Sequence, residues 1–428
     1  MLAASRLLTV EVPALLRCCL VHMPDLFAPL QGELLDPVSA GYLAQVSCQL
    51  VDYNAEEVVN FLFSGNDYSP ELVRQVGNRS ISEWLGGMLK ADCGGSQFAI
   101  EKMRILDLLV DTISTSSAPS AVVNAGQVLL DLIDNGKDLR GWNIYMALLV
   151  QSQSALKLVG NFTSKQQEKA IVSAEIVGKV MDLEEFEEIY DFQFDSIHRP
   201  ASHQALVDVY DVFALINDQV AAITSLLRNS SGQIRRIIAL IRLLSIVLQS
   251  PTPQIERSFV SNRTLEAVCG LLAAFPCASF LHQAVSLLIS ALLASASAGL
   301  KYDLLVTTKF AATLADISVE GKWNKAERPG NLAYVTLVGN LLLEAAEKQP
   351  FVAGCLEQEE TWKPFVESLR RRNEEARGKL GERQVDESGS TDLSPPGEEA
   401  EEVTAPAQLF STFLYWTVPV PALCPDLD

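Results

Sequence analysis

The chain has 428 residues, 53 acidic against 33 basic side chains, a net charge of −20 and 48% hydrophobic residues. That length holds roughly two or three ordinary domains or one continuous repeat array, with ample apolar residues for a core. The acidic balance argues against a nucleic-acid partner, whose phosphates need a basic face, and suits solubility and a basic partner patch.

The N-terminal run "MLAASRLLTVEVPALLRCCLV" is apolar, but Glu11 and Pro13 break any leader-like segment, so it reads as a core helix. Asn54 is placed to cap "AEEVVNFLF", with Glu57 as its capping-box partner. Ser69-Pro70-Glu71 opens the next helix, which Gly77 ends, and Ser80 with Glu83 repeats the box before "WLGGML". In Phe98–Ser114, Met103, Leu106, Val110 and Ile113 share one helical face. Val123, Val128, Leu130 and Leu132 mark the helix before Gly136. Further helices are expected at 142–159, 165–181, 203–228, 232–249, 254–274, 280–298, 301–318, 331–348 and 361–377. No run of alternating β-branched residues predicts a sheet. Many helices of roughly 10–20 residues joined by short polar loops predict an all-α fold, an armadillo/HEAT-like α-solenoid of degenerate repeats over 1–372, with a helical bundle as the alternative.

The run from Ala267 to Leu300 carries no charge, long enough to raise the question of a membrane span. Within it, His282, Ser286 and Ser290 form one narrow polar stripe, and the flanks lack basic clusters and aromatic belts. The stretch therefore reads as a helix sandwiched between neighbouring repeats, its stripe lying where a groove or loop approaches.

Two stretches break the pattern. Met181–Asp195, "MDLEEFEEIYDFQFD", interleaves seven acids with aromatics, and Glu184, Glu185 and Phe186 are candidates for contact with a basic partner. The alternative is an acidic loop anchored by its aromatics. Residues 373–408 hold ten acids, three bases and no aromatic, the composition of a disordered linker. Ser388, Ser390, Thr391 and Ser394 in it sit in contexts suited to phosphorylation. Residues 409–428 turn apolar again, as a segment able to dock back or onto a partner.

Catalytic and metal motifs are missing. The four histidines, His22, His198, His203 and His282, form no ligand pattern, and no phosphate loop, dinucleotide fingerprint or nucleophile elbow occurs. Ser154–Lys157 matches S-x-x-K without its companion motifs. Arg235-Arg236 and Arg370–Arg372 read as solvated helix ends or ion-pair donors and not as a nucleic-acid patch. The eight cysteines form no C-x-x-C pair and sit mostly in apolar runs, as free thiols of a reducing compartment. The residues thus predict a non-enzymatic binding scaffold without cofactor or metal.

Ile234–Leu293 contains a Thr252-Pro253 turn and Phe280-Leu281-His282 ahead of an apolar helix. "RPGNLAYVTLVGNLLLEA" (Arg328–Ala345) opens on Gly330 and Asn331, and "WKPFVESLRRRNEE" starts at Trp362. With "LLTVEVPALLRCCL", "VVNFLF" and "VGNRSISEWLGGML" earlier, these segments resemble, in order, the SAPS-domain regulatory subunits of protein phosphatase 6. The resemblance covers about Ala4–Glu375, with a poor match over 161–230. It implies a divergent family member that starts after the family's N-terminal extension, either by lineage or by truncation. It also implies a non-catalytic subunit whose solenoid holds a Ser/Thr protein phosphatase catalytic subunit and directs it to substrates, alongside further scaffold proteins. A generic armadillo-like adaptor is the alternative. The candidate contacts are His282, Ser286, Ser290, Arg328, Gly330 and Asn331. For His282 the alternative is a hydrogen-bonded core histidine, and for Asn331 a simple N-cap. The expected location is the cytoplasm, with the nucleus as an additional site.

Overall fold

The structure, a computed structural model, describes residues 13–65, 67–90, 95–135, 149, 152–181, 199–229, 232–249, 251–318 and 331–381. The chain divides into two compact units, Met1–Glu375 and Ala376–Asp428. Among the described residues every regular element is helical. The helices are α1 (Pro13–Val21), α2 (Met23–Phe27), α3 (Pro37–Val59), α4 (Ser69–Arg74), α5 (Arg79–Lys90), α6 (Gly95–Thr115) and α7 (Pro119–Asn135). They continue as α8 (Ser152–Gly160), α9 (Gln167–Val180), α10 (Arg199–Arg228), α11 (Ile234–Val247), α12 (Pro253–Asn262) and α13 (Thr264–Ala274). The last are α14 (Ser279–Ala294), α15 (Ala298–Tyr302), α16 (Phe310–Ile317), α17 (Leu332–Lys348), α18 (Pro350–Glu357) and α19 (Trp362–Gly381).

The first unit is an all-α solenoid of two rows. Helices α3, α5, α7, α9, α11, α14 and α17 each pack on the next to form row one. Beside it, α4, α6, α8 and α10 lead through α12 and α13 to α15 and α18 as row two. Row-one helices begin at 37, 79, 119, 167, 234, 279 and 332. Most intervals are close to the roughly 40–47 residues of armadillo and HEAT repeats, while those from 167 to 234 and from 279 to 332 are stretched. That drift explains why no crisp period is visible in the sequence.

Packing follows from the apolar faces. At the N-terminal end, Phe27 stacks on Trp84 with ring centroids 5.8 Å apart and 3° between planes, and also meets Phe61 at 5.9 Å. Such pairs add about 0.5–1.5 kcal/mol each beyond area burial. Helices α7 and α9 approach closely at Gly126, where a Cβ would lie 2.2 Å from Val172 Cγ1.

Several local expectations hold. Asn54 leaves helical geometry (φ −153, ψ 79) inside α3 and restarts the helix as a cap. Its Oδ1 accepts from the Glu57 amide at 3.3 Å, while its Nδ2 donates to Glu57 Oε2 at 2.8 Å. Others need correction. Helix α5 begins one residue before Ser80, and Glu83 pairs with Arg79 at 2.7 Å instead of closing a box. Helix α4 takes Ser69 as its first residue, so Ser69 is not the cap. In α7 the buried face is Val122, Ala125, Val128, Leu129, Leu132 and Ile133; Val123 is 44% exposed and Leu130 half-buried. The expected helix 254–274 is two helices broken at Arg263, whose left-handed φ of 52° no glycine or proline announces. The expected 301–318 is likewise divided: α15, a π-turn over Asp303–Thr307, then α16 after Lys309 at φ 52°. Helix α18, opened by Pro350 in its first turn, was not anticipated. Among the described cysteines only Cys269 and Cys355 are buried; Cys18, Cys48 and Cys277 are exposed.

Helix α14 stops at Ala294, where Ser295 turns extended (φ −60, ψ 160). Ser297 then caps α15, accepting from the Leu300 amide at 3.1 Å. No helix among the described residues is long and apolar enough to cross a membrane. The segment expected to be disordered from 373 starts inside α19, which runs to Gly381. Asn373 is held there by Asn340, donating to its Oδ1 at 2.9 Å. Residues 382–428, with the rest of that linker and the apolar end, lie outside the described residues.

Candidate functional site

The helix C-termini of this array leave carbonyls that need donors. The next repeat supplies them. Asn124 of α7 donates to Val76 O at 3.0 Å and Gly77 O at 3.1 Å, just past α4. Lys169 of α9 donates to Ser114 O near the end of α6 at 2.7 Å. Arg236 of α11 donates to Phe162 O, just past α8, at 2.7 Å. His282 of α14 meets Phe275 O, just past α13, at 2.7 Å through Nε2, and Asn331 at the start of α17 donates to Leu272 O in α13 at 2.8 Å. Helices α7, α9, α11 and α14 thus each place one polar side chain early in their length against the end of the preceding row-two element, and Asn331, just before α17, reaches the same α13 end as His282. The result is a polar ladder inside the solenoid.

The ladder accounts for the stripe on α14. His282 is fully buried (0% exposed) and its ring lies 5.4 Å from that of Tyr334. The hydrogen bond to Phe275 fixes the proton on Nε2, leaving Nδ1 a buried acceptor without a partner. Burial pulls the imidazole pKa down, and the bond to Phe275 O opposes this in part. Ser286 is buried and donates to His282 O at 2.8 Å; Ser290 is half-buried. Asn331 holds the N-cap position of α17, but its side chain does not cap that helix. The stripe therefore faces a neighbouring helix end and not an open groove, and His282, Ser286 and Asn331 present no surface to a partner. Arg328, Gly330, Glu184, Glu185, Phe186, Ser388, Ser390, Thr391 and Ser394 lie outside the described residues.

Sequence reasoning missed Asn124, Lys169 and Arg236, and read Arg236 as a solvated helix end. It is 3% exposed, and burial lowers its guanidinium pKa. Asn124 stands out in sequence as a polar residue early in a largely apolar helix, whereas Lys169 and Arg236 sit beside other charged residues that mask them.

What row one leaves open is a ridge of outward side chains. On α7, Gln127 donates to Asp131 at 2.7 Å, and Asp134 pairs with Lys179 of α9 at 2.8 Å. Glu175 of α9 remains open to solvent, yet surrounding protein pushes its carboxyl pKa up, with Arg242 and Arg235 opposing the shift. Helix α14 adds no charge, and its first turn exposes Phe280 (70%) while Leu281 and His282 turn inward. In row two, Asn217, Glu256, Arg257, Ser258, Val260 and Gly299 line a shallow cleft, with Ser258 donating to Asn217 Oδ1 at 2.6 Å.

Two buried titratable groups stand apart. Asp303, in the π-turn, is buried with Oδ2 unpartnered. Burial raises its carboxyl pKa, Thr307 lowers it, Glu266 raises it and Arg263 lowers it. Burial, with Asp303 nearby, drives the Cys269 thiol pKa far up. No grouping of three or more His, Cys, Asp and Glu side chains among the described residues is placed to hold a metal ion.

No protein-family model matches the chain. It is 22% identical over 289 residues to the serine/threonine-protein phosphatase 6 regulatory subunit 3-B of Xenopus laevis, an alignment covering 61% of this chain. The match spans 34% of that relative's length. Among solved structures, the crystal structure of an engineered protein aligns over 81% of this chain and 92% of its own, at 12% identity and a TM-score of 0.33. That likeness is too loose to assign a topology.

Proposed function

We propose that this chain is a non-catalytic regulatory subunit that binds a Ser/Thr protein phosphatase catalytic subunit of the phosphatase 6 type and directs it to substrates. The observation that carries the reading is the similarity to a phosphatase 6 regulatory subunit across 61% of the chain. The solenoid supports it physically: a rigid stacked array offers a long surface with little ordering on binding. The segments that resemble the SAPS family also fall at structural landmarks. Thr252 caps α12, accepting from the Ile255 amide at 3.3 Å, and Phe280-Leu281-His282 opens α14. Asn331 begins α17 and Trp362 begins α19. In this reading any metal chemistry belongs to the catalytic subunit, and the complex works in the cytoplasm and nucleus.

The test is affinity purification of the tagged chain from its own cells without detergent, followed by mass spectrometry and a phosphopeptide dephosphorylation assay. A Ser/Thr phosphatase catalytic subunit in stoichiometric amount, with activity in the eluate, is the expected result. Recovery of the chain with other proteins and no phosphatase would replace this reading with a general armadillo-like adaptor.

A further inference from the structure

Helix α11 lies near the middle of row one, and its open face exposes Arg235 and Arg242. Seven residues apart, they share one helical face and are about 10 Å apart along the axis. Half-buried Ile238 and Ile246 lie on the same face, and α9 adds half-buried Ile171. Among the described residues neither arginine forms an ion pair. Helix α14, next in the row, brings no charged side chain. On the other side, α9 and α11 come close at Gly178, where a Cβ would lie 3.2 Å from Ile246 Cδ1. One turn before Gly178, exposed Glu175 lies within electrostatic reach of both arginines. Glu168 is further back on α9 and half-buried. In a chain of net charge −20, this is a local concentration of two guanidinium groups, opposed by the one carboxylate of Glu175, beside aliphatic surface. Arginine with exposed aliphatic area is the composition of partner-binding patches, and guanidinium groups favour carboxylates.

We propose that the α9–α11 surface docks an acidic peptide segment of a partner protein, with two of its carboxylates meeting Arg235 and Arg242 and an apolar side chain between them resting on Ile238. Extended polyproline-like chain places residues three apart on one side, about 9 Å apart, which matches the arginine spacing. Charge complementarity sets the choice of partner and speeds encounter. The site does not depend on a phosphatase. In a regulatory subunit it would recruit a substrate or adaptor, separately from the catalytic subunit.

The experiment is fluorescence anisotropy of the purified full chain with a short labelled peptide carrying glutamate at every third position, and with its lysine counterpart. The glutamate peptide should bind and the lysine peptide should not, with affinity falling as salt rises. Arg235→Ala and Arg242→Ala should each weaken binding about tenfold, the loss of one charge-assisted contact. Glu175→Gln should tighten it by removing the competing carboxylate. Arg235→Glu with Arg242→Glu should reverse the preference toward the lysine peptide, a gain that a misfolded variant cannot show. Equal or absent binding of both peptides by the unmodified chain would overturn the proposal. So would undiminished glutamate-peptide binding by the double alanine variant.

Discussion

Gly126→Ala separates local from tertiary control of this fold. On an isolated helix, replacing glycine by alanine stabilises by about 1 kcal/mol. In the solenoid the new Cβ would sit 2.2 Å from Val172 Cγ1, 3.2 Å from Cγ2 and 3.3 Å from Cβ. Val172 is β-branched and buried, so it cannot swing clear by a simple rotamer change. Helices α7 and α9 must move apart, and overpacking of this kind costs about 1–3 kcal/mol, with more when backbone shifts. The expected net effect is a loss of roughly 1–2 kcal/mol, read from the midpoint of urea unfolding at unchanged slope. Val172→Ala in the Gly126→Ala background should recover part of that loss, giving a coupling of about 1–3 kcal/mol in a double-mutant cycle. If Gly126→Ala raises stability by about 1 kcal/mol and shows no coupling to Val172, row one is not stacked as described and the repeat register is wrong.

Asp303→Asn should stabilise the chain at neutral pH. The folded carboxyl pKa is raised, so this group favours folding below its unfolded pKa and loses that contribution as pH rises through the folded value. The variant's advantage should grow over that window and level off above it, as urea titrations across pH would show. His282→Leu should lower stability by about 1–3 kcal/mol because Phe275 O loses its donor, while His282→Gln should retain much of it. The lowered imidazole pKa adds a second readout: stability from this site is full above the unfolded pKa and falls as pH drops toward the folded one, a dependence absent from both variants. Under native thiol labelling followed by peptide mapping, Cys18 and Cys277 should react first. Cys48 should be slower, because surrounding protein and then Asp52 and Glu83 hold its thiol up, and buried Cys269 should react only on unfolding. Rapid labelling of Cys269 would mean that α13 opens locally.

The helical class and most helix positions could be read from the sequence because apolar periodicity and caps are local. Asn54 with Glu57 acts where the residues alone suggest, whereas the cap at Thr252 was legible only as a turn. The breaks at Arg263 and Lys309 were illegible, since a left-handed arginine or lysine is imposed by the packing on either side and not by its own preference. The stripe His282–Ser286–Ser290 was visible, but its direction was not. A polar side chain on an apolar helix can face a groove or a neighbouring helix end, and only the position of Phe275 O decides. Arg236 shows the same limit: in sequence it is indistinguishable from Arg235, yet one is a buried ladder donor and the other is exposed. Periodicity assigned Val123 to the core of α7, whereas the phase set by α5 and α9 buries Val122.

The regulatory reading is tested most directly by mixing the purified chain with a purified Ser/Thr phosphatase catalytic subunit of the phosphatase 6 type and passing the mixture through size-exclusion chromatography with light scattering. The account predicts a co-eluting complex heavier than either component that still removes phosphate from a phosphopeptide. Two separate peaks at the masses of the free proteins would contradict it.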